Sequence, residues 1–368
     1  MTKILASFYG AILFAQAASG GEPRLTSGRE IYRAACIGCH GPDGKGMPQS
    51  TIGFEPPKTF PDFTACTATT REPNADWTSI IHNGGPARGF SEIMPSFGEA
   101  LDRDQIEAVI QYVRSLCPDR AWPRGELNLP RAMVTEKAFP EDEAVITTAI
   151  NANGAAGVSS KVVYEKRFGA GNQIEVAVPF RFERQDTRTW FGGVGDIALG
   201  YKRLLLHSLR TGSIFSITGE AVLPTGNRDR GLGKGVTVFE SFASYGQILP
   251  ANSFVQFQGG VEVPTHRDDA AKAVFWRTAL GKTFTQGKGF GRLWSPMVEL
   301  LADKELVTGE KTNWDVLPQM QVTLSKRQHI RASVGVQFPV NNTGSRSTKL
   351  MFYLLWDWFD GGLREGWK

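Results

Sequence analysis

Four cysteines in 368 residues are too few for a scaffold held together by disulfides. No stretch reaches about 18 unbroken apolar residues, so no transmembrane helix is expected. The charges nearly balance, 41 Lys and Arg against 37 Asp and Glu for a net +4, and no basic stripe suggests a nucleic-acid partner. A phosphate-binding loop is also missing. The glycines of Gly231-Leu232-Gly233-Lys234-Gly235 join β-type segments, with no helix to receive a phosphate.

The few cysteines are not scattered. Cys36-Ile37-Gly38-Cys39-His40 is a C-x-x-C-H site of covalent haem attachment. On a helix, positions i, i+3 and i+4 share a face, so both thiols reach the vinyl groups of one haem while His40 rises beneath the iron as proximal ligand. Half of a zinc site would need a second ligand pair nearby. A thioredoxin-like redox pair needs no following His and normally sits in a βαβ pattern, which is absent.

From about Thr26 to Cys117 the chain resembles the class I c-type cytochromes. The first helix is expected over Ser27 to Cys39, with Ser27 as N-cap, followed by the family's C-H-G-x-D-G-x-G loop at Cys39 to Gly46, whose glycines let the backbone pass close to the porphyrin edge. The last helix runs from Leu101 to Leu116, with Asp102 as N-cap and Ile106, Val109, Ile110, Val113 and Leu116 on one face that packs across the first helix. The resemblance implies a second axial ligand from a Met-Pro pair, and Met94-Pro95 fits. A thioether would favour ferrous iron relative to a second imidazole. His82 is the rival, since a bis-His iron would keep the class and lower the potential.

Lys3, the apolar stretch Ile4 to Phe14 and the small residues Ala15 to Ala18 have the form of a signal peptide over residues 1–18. In an exported chain, Cys66 and Cys117 most simply form a disulfide, with two buried free thiols as the alternative.

The cytochrome module, residues 24–118, uses only the first third of the chain. A Pro- and charge-rich stretch, 119–143, reads as a linker. From about Ala144 to residue 360 the hydrophobic period becomes two. Ile174, Val176, Val178, Phe180 and Phe182 alternate with Glu175, Ala177, Pro179, Arg181 and Glu183, and the pattern recurs at Val255 to Val263 and Trp314 to Leu324. About twelve such segments, at roughly 18 residues each with the turn, suit an outer-membrane β-barrel. A periplasmic β-sandwich is the alternative. Strand lengths approaching the bilayer span, tryptophans at segment ends and densely charged polar faces favour the barrel. His207, His266 and His329 are isolated in sequence and read as ordinary lumen or loop residues.

Gly193-Val194-Gly195-Asp196, a strand, and then Leu223-Pro224-Thr225-Gly226 resemble the outer-membrane transporter barrels associated with phenol-degradation clusters, over Phe191 to about Phe338. Many outer-membrane barrels end on a terminal aromatic. Here Trp358-Phe359 precedes a polar tail.

The expected fold is thus α plus β and multidomain: a small all-α module and an antiparallel transmembrane barrel. The expected function is electron transfer by one covalent haem c, with periplasmic redox carriers as partners, possible pairing with a further cytochrome at the barrel, lipid around the strands, and no nucleic acid. An enzyme role is not expected, because His40 and Met94 would fill both axial positions. A transporter of small aromatic solutes with an appended cytochrome is the competing reading.

Overall fold

Alternation of apolar and polar side chains places successive residues on opposite faces of a strand, and the second part of the chain uses this to build a closed wall. The computed structural model describes residues 24–57, 60–184, 189–266 and 268–357. The expected signal peptide and the terminal Trp358-Phe359 lie outside the described residues.

The strands are β1 (Asp142–Asn151), β2 (Gly157–Phe168), β3 (Asn172–Arg184), β4 (Trp190–Val194), β5 (Ile197–Ser208), β6 (Ser213–Leu223), β7 (Val238–Leu249), β8 (Ser253–Pro264), β9 (Ala273–Lys282), β10 (Phe284–Thr285), β11 (Leu293–Glu305), β12 (Asn313–Thr323), β13 (Ile330–Pro339) and β14 (Lys349–Asp357). They occupy twelve positions around an antiparallel barrel. β4 and β5 share one position beside β3, and β9 and β10 share one beside β11. Pairing of β1 with β14, Glu143 opposite Asp357, closes the wall. Closure removes the unpaired edges that a sandwich would keep.

The interior is polar. Gln173, Gln258 and Glu299 point inward and are fully buried, whereas a sandwich would fill that space with apolar side chains. The outward positions form an apolar belt that includes Ile146, Ile174, Leu199, Val298 and Leu280, the last 56% exposed. A belt of that extent suits lipid rather than water. Trp276 and Trp314 meet edge to face at 5.4 Å near one rim, while Trp294 and Trp356 lie on the outer face towards the other.

Connections at one end are short, 169–171, 209–212 and 250–252, and at the other longer, as at 224–237 and 340–348. β1 begins and β14 ends at the short-turn end. The stretch expected as a linker does not act as a spacer: from residue 125 it enters the barrel at this end, reaches inward and returns to β1. Leu127, Ala138 and Phe139 pack on Leu204 and Ile214. Leu129 and Ala132 pack on Phe254, Ala279 and Met297, and Met133 packs on Leu317, Met351 and Leu355.

Polar bonds hold the same segment. The Glu299 carboxylate accepts from the backbone N–H groups of Met133 (2.9 Å), Val134 (3.2 Å) and Thr135 (2.6 Å) and from the Thr135 hydroxyl (2.6 Å). Arg131 donates to Glu165 at 2.7 Å and also pairs with Glu143, while its carbonyl accepts from Tyr353 Oη at 2.8 Å. Lys137 pairs with Glu141. Arg131 thus takes its ionic partners from β1 and β2, and Lys137 takes its own from the end of the segment and the start of β1.

Replacing Arg131 by Met should strand the Glu143 and Glu165 carboxylates and cost about 3–5 kcal/mol. Urea unfolding of the protein in micelles measures this. Adding Glu143→Gln and Glu165→Gln should recover most of the loss.

Candidate haem centre

The module at the short-turn end is helical because its apolar residues recur on one face of each segment. The first helical run comprises Gly28–Ile31, a π-helical turn Tyr32–Cys36, and Ile37–His40. Ser27 stands at its N-cap without a side-chain capping bond. The helix Arg103–Ser115 is capped by Asp102, which accepts from Gln105 N at 3.0 Å, while the Gln105 side chain returns to Asp102 N at 3.0 Å. Its expected face, Ile106, Val109, Ile110 and Val113, is buried. The two helices cross so closely that a Cβ on Gly28 would lie 2.0 Å from the Ala108 carbonyl oxygen.

After His40 the chain reverses at Gly41, whose φ of 74° suits glycine. Tyr32 is buried beneath this reversal and donates to the Gly41 carbonyl at 2.8 Å. Gly44 has a packing role: a Cβ there would come within 2.6 Å of Leu116 and 3.1 Å of Phe63.

Cys36, Cys39, His40 and Met94 wall one largely apolar cavity of about 380 Å³, together with Phe60, Phe63 and Trp77. That volume falls in the range of cofactor sites. The His40 ring stacks on Phe60, at 5.1 Å, and on Phe63, at 4.7 Å. Burial lowers its pKa to about 4, which keeps the imidazole neutral, as a metal ligand must be. Its Nδ1 is buried without a hydrogen-bond partner. Thiols, neutral imidazole and thioether around an apolar slot fit a haem. His82 does not line the cavity. It bonds to Asn83 at 2.9 Å and stacks on Phe290 of the barrel at 4.8 Å. Cys66 and Cys117 are joined, with their Cα atoms 5.2 Å apart, and close a loop with a sequence separation of 51.

One edge of the module meets the barrel turns. Arg88 pairs with Asp76 at 2.8 Å and donates to the Phe290 carbonyl at 2.6 Å. Arg71 pairs with Asp142 at the start of β1. His329, fully buried, lies 2.7 Å from Glu72 and 2.9 Å from Asp357. Read as an ordinary residue in sequence, it joins the module to the end of β14, and only its spatial partners show this. Burial alone would keep His329 neutral, but the Asp357 and Glu72 carboxylates outweigh it and raise its pKa well above the usual value. Burial, followed by the Glu72 charge, pushes Asp76 up to about 7.

Residues 23–113 match the family described as "Cytochrome C oxidase, cbb3-type, subunit III". The helical module is accordingly a c-type cytochrome domain, which implies haem c. No curated protein matches the chain. Among solved structures, the COG4313 outer membrane channel from Pseudomonas putida F1 is similar in backbone path at 14% identity and a TM-score of 0.40, over 62% of this chain and 100% of that one. The NanC porin is similar at 6% identity and a TM-score of 0.41, over 58% and 98%. The KdgM porin is similar at 8% identity and a TM-score of 0.38, over 59% and 99%.

The His329 junction should weaken at alkaline pH. A histidine with a raised folded-state pKa contributes its full stabilisation below about pH 6.5 and loses it as pH rises through the folded value. Limited proteolysis between the module and the barrel should therefore accelerate from neutral towards alkaline pH. In His329→Gln the rate should be higher at neutral pH and nearly flat.

Proposed function

We propose that the protein is an electron carrier of the outer membrane: Cys36, Cys39, His40 and Met94 would hold one covalent haem c in a module docked on the periplasmic end of a plugged barrel. The observation that carries this reading is that these four side chains wall a single apolar cavity. The haem would supply one-electron chemistry. The chain holds the imidazole neutral, excludes water with Phe60, Phe63 and Trp77, and presents a thioether that favours the ferrous state. His40 and Met94 would both be given to the iron and leave it no place for substrate, so the proposed role is a carrier rather than an enzyme.

The outer-membrane assignment rests on the closed wall, the apolar belt and the tryptophans near both rims. The periplasmic placement of the module rests on the short turns and the two ends of the wall sharing one end of the barrel. The buried segment 125–141 argues against an open pore for small solutes. At the other end inward-facing Lys161, Arg181 and Asp303 are exposed, which makes an accessible vestibule.

A single iron at the closed end leaves most of an apolar band about 25 Å tall without a redox stop. The second electron partner is therefore proposed to be a further cytochrome docked in the vestibule, or a redox-active solute that enters it. Periplasmic carriers would meet the module on its free side.

A pyridine haemochrome assay should give one haem per chain, resistant to acidified organic solvent, and Cys36→Ser with Cys39→Ser should abolish it. Met94→Ala should remove the weak long-wavelength sulfur-to-iron band of the ferric protein and lower the midpoint potential. Survival of that band would exclude Met94.

Liposomes enclosing a reduced dye, with the protein in the wall, should transmit electrons to an external acceptor only with a haem partner or a small diffusible mediator. Solute uptake that persists without haem, with no electron flow in any combination, would establish the transporter reading.

A further inference from the structure

We infer that the barrel completes the haem site: Arg327, from the turn at 324–329 between β12 and β13, holds one haem propionate, and Arg88 of the cytochrome module serves the other. The inference rests on the proposed haem reading and adds to it a ligand-binding residue from outside the module.

Haem carries two carboxylates at one edge, and a buried carboxylate needs an ionic or hydrogen-bonding partner. Among the described residues that line the cavity, the cationic side chains are Arg88 and Arg327. They converge on one short stretch of the wall. Arg88 is 4% exposed and Arg327 3% exposed. Arg327 donates to the carbonyl of Gly89 at 3.2 Å, and its guanidinium carbon lies 4.2 Å from the centroid of the Phe90 ring, itself part of the cavity wall. The planar fork of a guanidinium matches a carboxylate, and stacking on an aromatic ring orients it.

The carboxylates native to this edge have partners of their own. Glu72 is bonded to His329 and Asp76 to Arg88. The cavity thus meets the barrel at Arg327, while its thioether-forming face, Cys36 and Cys39, belongs to the module alone. A cation beside a propionate stabilises the electron-rich ferrous state, so Arg327 would raise the haem potential. The potential would then report whether the module is seated on its barrel.

The test uses full-length, haem-loaded protein in micelles. Arg327→Gln should lower the ferrous-to-ferric ratio at a fixed ambient potential about tenfold, which is about 59 mV for a one-electron couple. It should also shift the propionate bending band in resonance Raman spectra, which reports bonding to those carboxylates. Arg327→Lys keeps the charge and loses the fork, so it should shift the band while holding the ratio within about threefold; it serves as the test if the Gln variant fails to fold. Haem at one equivalent, with ratio and band unchanged in either variant, would overturn the inference and leave the haem reading intact. Absence of covalent haem from the unmodified protein would overturn both.

Discussion

The architecture depends on one buried carboxylate. Glu299 faces the lumen, where an isolated charge would be costly, and its oxygens are satisfied by the backbone and hydroxyl of residues 133–135. The wall therefore needs the inserted segment as much as the segment needs the wall. Arg131 makes the same trade with Glu143 and Glu165. Once residues 125–141 are fixed, the module that precedes them is fixed too, because Gly125 N bonds to the Thr70 carbonyl at 2.6 Å.

Seating the module in this way makes one unit of two folds. The cavity belongs to the cytochrome domain, yet its wall includes Arg327 from a barrel turn, and the ring of His82 rests on Phe290 from another. A barrel that only anchored its passenger would not need contacts reaching into the cofactor cavity.

Much of this was legible in the sequence wherever a local rule applies. The Asp102 cap with the apolar face of the last helix and the period-two runs each encode structure within a few residues, and each runs as read; the C-x-x-C-H residues lie on the first helical run and line the module's cavity. The inserted segment was not legible. Residues 125–141 have no period of their own, and only the structure shows that Arg131 pairs with Glu143 and Glu165 of the β1–β2 pair and that Lys137 pairs with Glu141 inside the barrel. His329 was opaque for the same reason, since Glu72 lies 257 residues away in sequence. Ser27 shows the converse: a residue type with the right propensity at the right place, without the bond that motivates the preference.

The lumen segment enters and leaves by the same end of the barrel. It is a stopper on a tether, not a threaded strand, and it can be withdrawn without passing a chain terminus through the wall. The cytochrome module is the handle of that stopper. Any pull that lifts the module off the barrel end is transmitted along the backbone from residue 125 to the bonds on Glu299, so mechanically the seal of the pore and the seating of the haem domain are one joint.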